Sequence, residues 1–160
     1  PGAGTTFTIY LPGFKDTVPL SHIPVTLETL KGHGETILLV EDEPAILELG
    51  KVMLETLNYQ VLPAATPEEA INLALSHEGQ IHLLITDVMM PQMNGRDLAA
   101  RIGELRKNIG CLFMSGYTAD IIGRRGVLAE NISFMQKPFT MQLLANKVHD
   151  TLISSSTHGG

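Results

Sequence analysis

Short apolar runs alternate with amphipathic stretches along the chain from Thr36 onward. Three of the runs, at 37–40, 83–85 and 112–114, are continuously apolar. Continuous apolar runs are typical of parallel strands buried on both faces, whereas strands with one wet face alternate between apolar and polar residues. We therefore predict five strands, at 36–41, 60–64, 82–86, 110–115 and 133–136.

The stretches between and after these strands carry apolar residues at helical spacing and predict five helices. The helices are placed at 45–57, from 67 onward, at 96–107, at 119–129 and at 141–152. In the first helix one apolar stripe should face the sheet, made of Ile46, Leu49, Val52 or Met53, and Leu57. The fourth helix should be short or irregular, because Gly123 and Gly126 interrupt it.

The second helix has a distinct predicted beginning in the sequence Thr-Pro-Glu-Glu at 66–69. Thr66 is the expected N-cap, whose hydroxyl accepts a hydrogen bond from the first turn. Pro67 suits the first helical position, because an N–H group has no helical partner there. Glu69, three residues after the cap, completes a capping box.

Repeated strand–helix units within residues 36–153 predict an α/β fold. The expected architecture is a flavodoxin-like, doubly wound, five-stranded parallel sheet with strand order 2-1-3-4-5 and five helices. Folds of this kind place their chemistry at the carboxyl ends of the strands. Functional residues should therefore follow strands 1, 3, 4 and 5.

Polar residues suited to phosphoryl chemistry stand at those four strand ends. Glu41 and Asp42 lie at the end of strand 1 and Asp87 follows strand 3, while Ser115 ends strand 4 and Lys137 follows strand 5. Crowded carboxylates repel one another unless a cation joins them, and their hard oxygen ligands suit Mg²⁺. Asp87 can then act as an oxygen nucleophile that forms an acyl phosphate. Lys137 supplies a mobile positive charge, and Ser115 supplies a hydroxyl donor for the transferred group.

Each of these residues has an ordinary explanation when it is taken alone. Asp42 could be a solvated charge or a helix cap, Ser115 a turn residue, and Lys137 part of an exposed loop. Four separate strand ends nevertheless carry the residue types that phosphoryl transfer requires. This conjunction favours a phosphorylation site over four unrelated surface residues.

Composition narrows the expected partners and surroundings. The net charge of −6 and the scattered basic residues, with Arg124-Arg125 only a pair, argue against nucleic acid binding. No apolar run approaches the roughly 18 residues of a membrane span, so no membrane contact is expected from this chain. The single cysteine, Cys111, lies in an apolar strand and is interpreted as a buried hydrophobic residue. These features predict a cytoplasmic location, although the parent protein can be membrane-anchored.

Four motifs surround the residues at the strand ends. They read Leu-Leu-Val-Glu-Asp-Glu at 38–43, Asp-Val-Met-Met-Pro-Gln-Met-Asn-Gly at 87–95, Met-Ser-Gly-Tyr at 114–117 and Lys-Pro-Phe at 137–139. With these motifs the chain resembles the CheY-like response-regulator receiver family of two-component signalling over most of its length. The resemblance implies that Asp87 accepts a phosphoryl group from a phosphohistidine on a kinase. It also implies a cis peptide bond before Pro138.

A Mg²⁺ site and its ligands follow from the same resemblance. Glu41 and Asp42 would form the acidic pair of the site. Asp87 and the backbone carbonyl of Met89 would complete the protein ligands to the ion. Lys137 carries over as a residue that contacts the phosphoryl group.

The resemblance further implies a conformational switch. Ser115 would contact the phosphoryl group, and Phe134 stands where the family keeps a rotating aromatic, although an aromatic in a strand is more often plain core. Phosphorylation would remodel the face formed by the fourth predicted helix, the fifth strand and the fifth helix. Met89 and Tyr117, two residues after the phosphoacceptor and the switch hydroxyl, would flank the path of attacking water. Because both are bulky and orient water poorly, they predict a long-lived phosphoaspartate.

The first residues carry a second resemblance. Residues 2–12 resemble the closing glycine box and last strand of a histidine-kinase ATP-binding domain, with a glycine-rich turn before an unrelated strand as the alternative. We expect a remnant of that domain at 1–12, a linker at 13–35, the receiver domain at 36–153 and a flexible tail at 154–160. Since the chain does not begin with Met, we expect it to be a piece of a longer protein, and the resemblance of residues 2–12 implies that this protein is a hybrid histidine kinase. It is not expected to be a kinase by itself, because the other nucleotide-contacting motifs are absent.

The expected function is that of a receiver domain within a phosphorelay. Its phosphodonor would be a histidine kinase, expected in the same polypeptide, and its acceptor a histidine-phosphotransfer protein, unless it tunes its own kinase. The first alternative is a stand-alone, single-domain response regulator that acts as a binding module. A phosphatase with an aspartyl nucleophile would need an acid at position 89, where Met stands. A flavin-binding, flavodoxin-like protein is a further alternative, but the acidic residues at 41–43 would repel a phosphate where flavodoxins need hydroxyl and amide donors.

Overall fold

The structure, a computed structural model, describes residues 27–116 and 133–157. Its strands are β1 (Thr36–Val40), β2 (Gln60–Ala64), β3 (Leu83–Asp87), β4 (Gly110–Ser115) and β5 (Ser133–Gln136). They form one parallel sheet in the order β2-β1-β3-β4-β5, which confirms the predicted flavodoxin-like topology. β3 lies one residue further along than predicted and includes Asp87, because Asp87 still pairs with Met114 of β4.

Four helices flank the sheet within the described residues. They are α1 (Pro44–Thr56), α2 (Pro67–Ser76), α3 (Gly95–Leu105) and α4 (Met141–Thr157). α1 and α4 contribute to the core cluster on one face of the sheet, and α2 and α3 contribute to the cluster on the other. The helix predicted at 119–129 lies outside the described residues.

The side chains of the strands divide between these two faces. Ile37 and Leu39 belong to the cluster with α1 and α4, whereas Leu38 and Val40 belong to the cluster with α2 and α3. All four are at most 2% exposed. This burial on both faces is the physical reason for the continuously apolar runs in the sequence.

The apolar stripe predicted for α1 is wrong in part. Leu49 and Val52 are each 50% exposed, whereas Gly50 and Leu54 are buried. Gly50 permits a close approach to the sheet, because a Cβ atom there would lie 3.1 Å from Leu39 Cδ2. A glycine has no side chain to mark the buried face of a helix, so the hydropathy pattern alone assigns that face to the wrong residues.

The predicted beginning of α2 is present in the structure. Thr66 Oγ1 accepts a hydrogen bond from Glu69 N at 3.2 Å, and Pro67 is the first helical residue. The Glu69 carboxylate accepts from Ala65 N at 2.8 Å, one residue before the cap. The reciprocal bond of the capping box is therefore displaced by one residue.

The part of the predicted linker that the structure describes is packed against the domain. Leu27–Leu30 form a 3-10 helix, and Leu30 is 3% exposed within the cluster that contains α1 and α4. Gly32 N donates to Leu57 O at 2.8 Å, and Asn58 Nδ2 donates to Gly32 O at 2.8 Å. Residues 27–35 are thus joined to the domain by apolar contacts and hydrogen bonds, which the lack of a hydrophobic period does not reveal.

The end of α4 also differs from its prediction. The helix continues to Thr157, so residues 154–157 are helical rather than part of the expected tail. Ser154 Oγ and Ser155 Oγ donate to the carbonyls of Asp150 and Leu152 at 2.8 and 2.9 Å, and these bonds accommodate serines in a helix. Residues 1–26 and 158–160 lie outside the described part of the chain. Among the described helices, none is both long enough and apolar enough to cross a membrane.

Candidate functional site

Three carboxylates meet at the carboxyl edge of the sheet. Glu41 and Asp42 follow β1 directly, and Asp87 is the last residue of the neighbouring β3. One oxygen of each carboxylate lies within 4.8 Å of the others. Glu41 is 1% and Asp87 is 6% exposed, whereas Asp42 is open to solvent. The three acidic residues predicted as metal ligands are therefore brought together by the sheet.

Lys137 bridges two of these carboxylates. Its Nζ donates to Glu41 Oε2 at 2.8 Å and to Asp87 Oδ2 at 2.6 Å. Lys137 N donates to Ser115 O at 2.8 Å, and the peptide bond to Pro138 is cis. The backbone of Lys137 is thus tied to the end of β4 while its ammonium group reaches the ends of β1 and β3.

Burial and charge compete in setting the pKa values at this edge. Burial raises the pKa of Glu41, and the hydrogen bond and charge of Lys137 oppose this effect without cancelling it. For Lys137 burial acts to lower the pKa, but the hydrogen bonds to Asp87 and Glu41 outweigh burial and raise the pKa above its ordinary value. Lys137 is therefore a cation at neutral pH.

Both oxygens of the Asp87 carboxylate have hydrogen-bond partners. Met89 N donates to Oδ1 at 3.2 Å, while Lys137 holds Oδ2. An aspartate can accept from the N–H two residues further on where the chain turns, as it does after β3. The carboxylate of Asp87 is consequently held in one orientation.

The N-terminus of α3 anchors the loop that follows β3. Asn94 is the N-cap, and its Oδ1 accepts from Arg96 N and Asp97 N, both at 3.0 Å. Gly95 N donates to Val88 O at 3.0 Å, which ties the first helical residue back to the first residue of the loop. Residues 88–94 are therefore fastened at both ends.

The donor set fits a hard divalent cation. Carboxylate oxygens are ligands that Mg²⁺ prefers, and the three carboxylates here exceed the single positive charge of Lys137. The backbone of Met89 lies beside the cluster, since its N–H reaches Asp87, and the Met89 side chain is 65% exposed. The residues present can thus hold a magnesium ion.

The predicted switch residues lie on the two adjacent strands. Ser115 ends β4 and is 1% exposed, and Phe134 of β5 is partly buried. The ring of Phe134 stacks on Phe113, with a centroid distance of 5.9 Å and an interplanar angle of 26°. The sequence did not predict the contact between Phe113 and Phe134, because this contact depends on the register between β4 and β5. Tyr117 lies outside the described residues.

Comparison with known proteins identifies relatives of this chain. Residues 37–149 of this chain match the family of response regulator receiver domains. The sensor kinase CckA of Brucella abortus (strain 2308) is 32% identical over 158 residues, which cover 94% of this chain and 17% of that kinase. The response regulator GtcR of Aneurinibacillus migulanus is 35% identical over 107 residues, which cover 66% of this chain and 43% of that regulator. The chain therefore spans less than half the length of both curated relatives.

Solved structures agree with this relationship. The receiver domain of the hybrid histidine kinase CckA is 33% identical, with a TM-score of 0.62 over 73% of this chain and 98% of that domain. A CheY-like receiver domain protein from Methanospirillum hungatei JF-1 is 26% identical, with a TM-score of 0.66 over 79% of this chain and 99% of that one. The sheet order, the acidic edge and these similarities together show that the chain belongs to the response-regulator receiver family of two-component signalling.

Proposed function

We propose that this receiver domain accepts a phosphoryl group on Asp87, with Mg²⁺, from a phosphohistidine of a histidine kinase. The observation that carries the proposal is the setting of the Asp87 carboxylate. It is 6% exposed, bonded to Lys137 at 2.6 Å and within 4.8 Å of oxygens of Glu41 and Asp42. A carboxylate whose only role was to keep the protein surface soluble would be exposed to solvent and would not be buried next to two other carboxylates.

In the proposed reaction an oxygen of Asp87 attacks the phosphorus atom while the bond from phosphorus to the histidine nitrogen breaks. An acyl phosphate forms, and the histidine leaves with the electron pair of the broken bond. The three carboxylates and the Met89 carbonyl would hold Mg²⁺, which would supply positive charge to stabilise the phosphoryl oxygens. Lys137 adds a second positive charge at the same edge, and the Ser115 hydroxyl donates to the transferred group.

The test is covalent modification of the protein by a small phosphodonor. With Mg²⁺ and acetyl phosphate, intact-mass measurement should detect one added phosphoryl group on the wild type and none on Asp87→Asn. Asp150→Asn, which removes an exposed carboxylate from α4, is the matched control and should be modified like the wild type. An unmodified wild type, or equal modification of Asp87→Asn, would contradict the proposal.

Phosphorylation is also proposed to draw Ser115 and Phe134 toward the phosphate, which would remodel the face made by β5, α4 and the segment between β4 and β5. The partly buried ring of Phe134, stacked on Phe113, supports this idea because a ring that is not enclosed can reorient. Ring resonances of Phe134 should therefore shift on addition of Mg²⁺ and beryllofluoride. Unchanged resonances in a protein that binds beryllofluoride would contradict the switch.

The parent protein is proposed to be a hybrid histidine kinase that passes phosphate to a histidine-phosphotransfer protein. The similarity to the sensor kinase CckA covers 94% of this chain and so includes residues upstream of position 37, where the receiver family match begins. A stand-alone regulator would have no kinase domain upstream. Transfer of labelled phosphate from ATP to Asp87 within the complete protein, and then to a phosphotransfer protein, would test this setting.

A further inference from the structure

The buried hydroxyl of Thr86 lies directly behind Asp87. Thr86 is 0% exposed, and its Oγ1 donates a hydrogen bond to the backbone carbonyl of Asp87 at 3.0 Å. Asp87 is the last residue of β3, so this carbonyl lies at the start of the loop between β3 and α3. A buried hydroxyl needs a partner, and here the partner belongs to the backbone of the proposed phosphoacceptor itself.

Gly95 packs against the same carbonyl from the first turn of α3. A Cβ atom at Gly95 would lie only 2.1 Å from Asp87 O and 3.1 Å from Thr86 Oγ1. No side chain fits in that space, so α3 begins in direct contact with the Asp87 carbonyl. The contact confines the carbonyl beside its hydrogen bond to Thr86.

The peptide unit between Asp87 and Val88 is therefore held at both ends. Its carbonyl is held by Thr86 and Gly95, and its N–H group, that of Val88, donates to Met114 O at 2.9 Å. The next N–H group, that of Met89, belongs to the following peptide unit, so this fixed unit sets the position from which the chain turns toward it. The N–H of Met89 is the donor that holds Oδ1 of the Asp87 carboxylate.

We propose that Thr86 is a positioning residue for phosphorylation: its hydroxyl fixes the peptide unit after Asp87 and thereby orients the Asp87 carboxylate. The inference rests on the proposed role of Asp87. Thr86 does not touch the reacting groups, and it acts through the backbone. Loss of its hydroxyl should therefore slow phosphoryl transfer without abolishing it.

The test compares T86V, which removes the hydroxyl at nearly constant volume, with T86S, which keeps it. At saturating Mg²⁺ and acetyl phosphate, T86V should be phosphorylated about fivefold more slowly, the effect of losing roughly one hydrogen bond. T86S should restore most of the rate. In the Mg²⁺-free protein the amide proton of Met89 should shift upfield in T86V but not in T86S, a signal that does not depend on phosphorylation.

The outcomes separate this inference from the proposed function. A wild-type rate and an unshifted Met89 amide in T86V would overturn the role of Thr86, as would an equal loss of rate in T86S. Failure of the wild type to be modified, or modification of Asp87→Asn, would instead overturn the proposed function. Should T86V not fold, T86A removes the same hydroxyl without adding a methyl group in its place and should give the same two signals.

Discussion

At the scale of single residues, Lys137 compensates two buried carboxylates. Its Nζ reaches Glu41 Oε2 and Asp87 Oδ2, and its side chain is only 14% exposed. Removing one partner of a buried ion pair leaves an uncompensated charge, which destabilises more than removing both partners. Lys137→Ala should therefore destabilise the fold, because it would leave Glu41 and Asp87 without their positive partner.

Met89 is expected to set the lifetime of the phosphorylated state. Its side chain is 65% exposed and two residues from Asp87, so it lies on the solvent side of the site. An apolar side chain there cannot orient an attacking water, whereas an amide can. Met89→Asn should therefore lose phosphate several-fold faster than the wild type when decay is followed by intact mass, a change of about 1 kcal/mol in the barrier.

Met89→Leu is the matched control for this prediction, because it keeps an apolar side chain of similar size. Its phosphate should decay like that of the wild type. Equal decay of the Asn and Leu variants would show that position 89 does not control hydrolysis. Tyr117, the second residue expected to act on lifetime, lies outside the described residues, and its role stays a prediction.

Because Tyr59 is buried, we expect the folded domain to lose stability in alkaline solution. Burial, with a smaller contribution from the charge of Glu35, raises the pKa of Tyr59 to about 12. In the unfolded chain a tyrosine pKa is about 10, so the folded state favours the protonated phenol. The stabilisation is fully present below about pH 10 and is lost as the pH rises through about 12.

The measurement is the free energy of unfolding at about pH 9 and at about pH 12. Between these values the wild type should lose about 2 kcal/mol more than Tyr59→Phe, which has no proton to release. Comparing the two proteins removes the contributions of other groups, including Lys137, that titrate in the same range. Parallel losses in both proteins would mean that Tyr59 is not buried in solution.

At the scale of elements, side chains from outside α2 hold both of its ends. Thr66 caps the beginning, and the guanidinium group of Arg106, just after α3, donates to carbonyls near the end. Its acceptors are the carbonyls of Ala74, His77 and Gly79. Carbonyls at a helix end have no partner within the helix, so Arg106 satisfies groups that would otherwise need water.

The 3-10 helix before β1 is expected to be an integral part of the domain. Leu30 is 3% exposed in the core, whereas Leu27 in the same helix is 39% exposed. Leu30→Ala should lower the free energy of unfolding by about 2–4 kcal/mol, because it removes a buried side chain and leaves a cavity. Leu27→Ala is the control and should have a much smaller effect. Similar values for the two variants in urea unfolding would show that residues 27–30 do not pack in solution.

At the scale of the whole molecule, strands distant in the chain share one edge of the sheet. β1 and β3 are neighbours, and β5 reaches them through β4. This arrangement lets Lys137 contact Glu41 although 96 positions separate them. A ligand at this edge would therefore contact the ends of several strands at once.

Stabilisation by a phosphate analogue tests this coupling in the complete fold. A ligand that binds only the folded state adds about 2.7 kcal/mol at a concentration of 100 Kd. Beryllofluoride with Mg²⁺ should therefore raise the Tm of the wild type by several degrees, as for a domain of this size. In Asp87→Asn the added shift from beryllofluoride should vanish, while a shift from Mg²⁺ alone can remain. An equal beryllofluoride shift in both proteins would place the analogue elsewhere.

The sequence predicts most of the fold and places the candidate site residues at the strand ends. All five strands were predicted within one residue of both ends: β2, β4 and β5 match, β1 ends one residue earlier, and β3 is shifted by one residue. The predictions were wrong where the hydrophobic pattern of the sequence does not reveal which residues are buried. Gly50 marks the buried face of α1 without a side chain, and residues 27–35 pack without a hydrophobic period.

The sequence by itself determined the positions of the strands, the residue types at the strand ends and the family, because periodicity and motif spacing are local properties; the strand order followed from the rules for repeated strand–helix units. Only the tertiary structure decided which of those residues touch. Three contacts depend on how the elements pack: the bridge from Lys137 to Glu41 and Asp87, the stacking of Phe134 on Phe113, and the hydrogen bond from Thr86 to the Asp87 carbonyl. The physical reason is that burial and hydrogen bonding depend on register and helix rotation, and these are settled when the elements pack together.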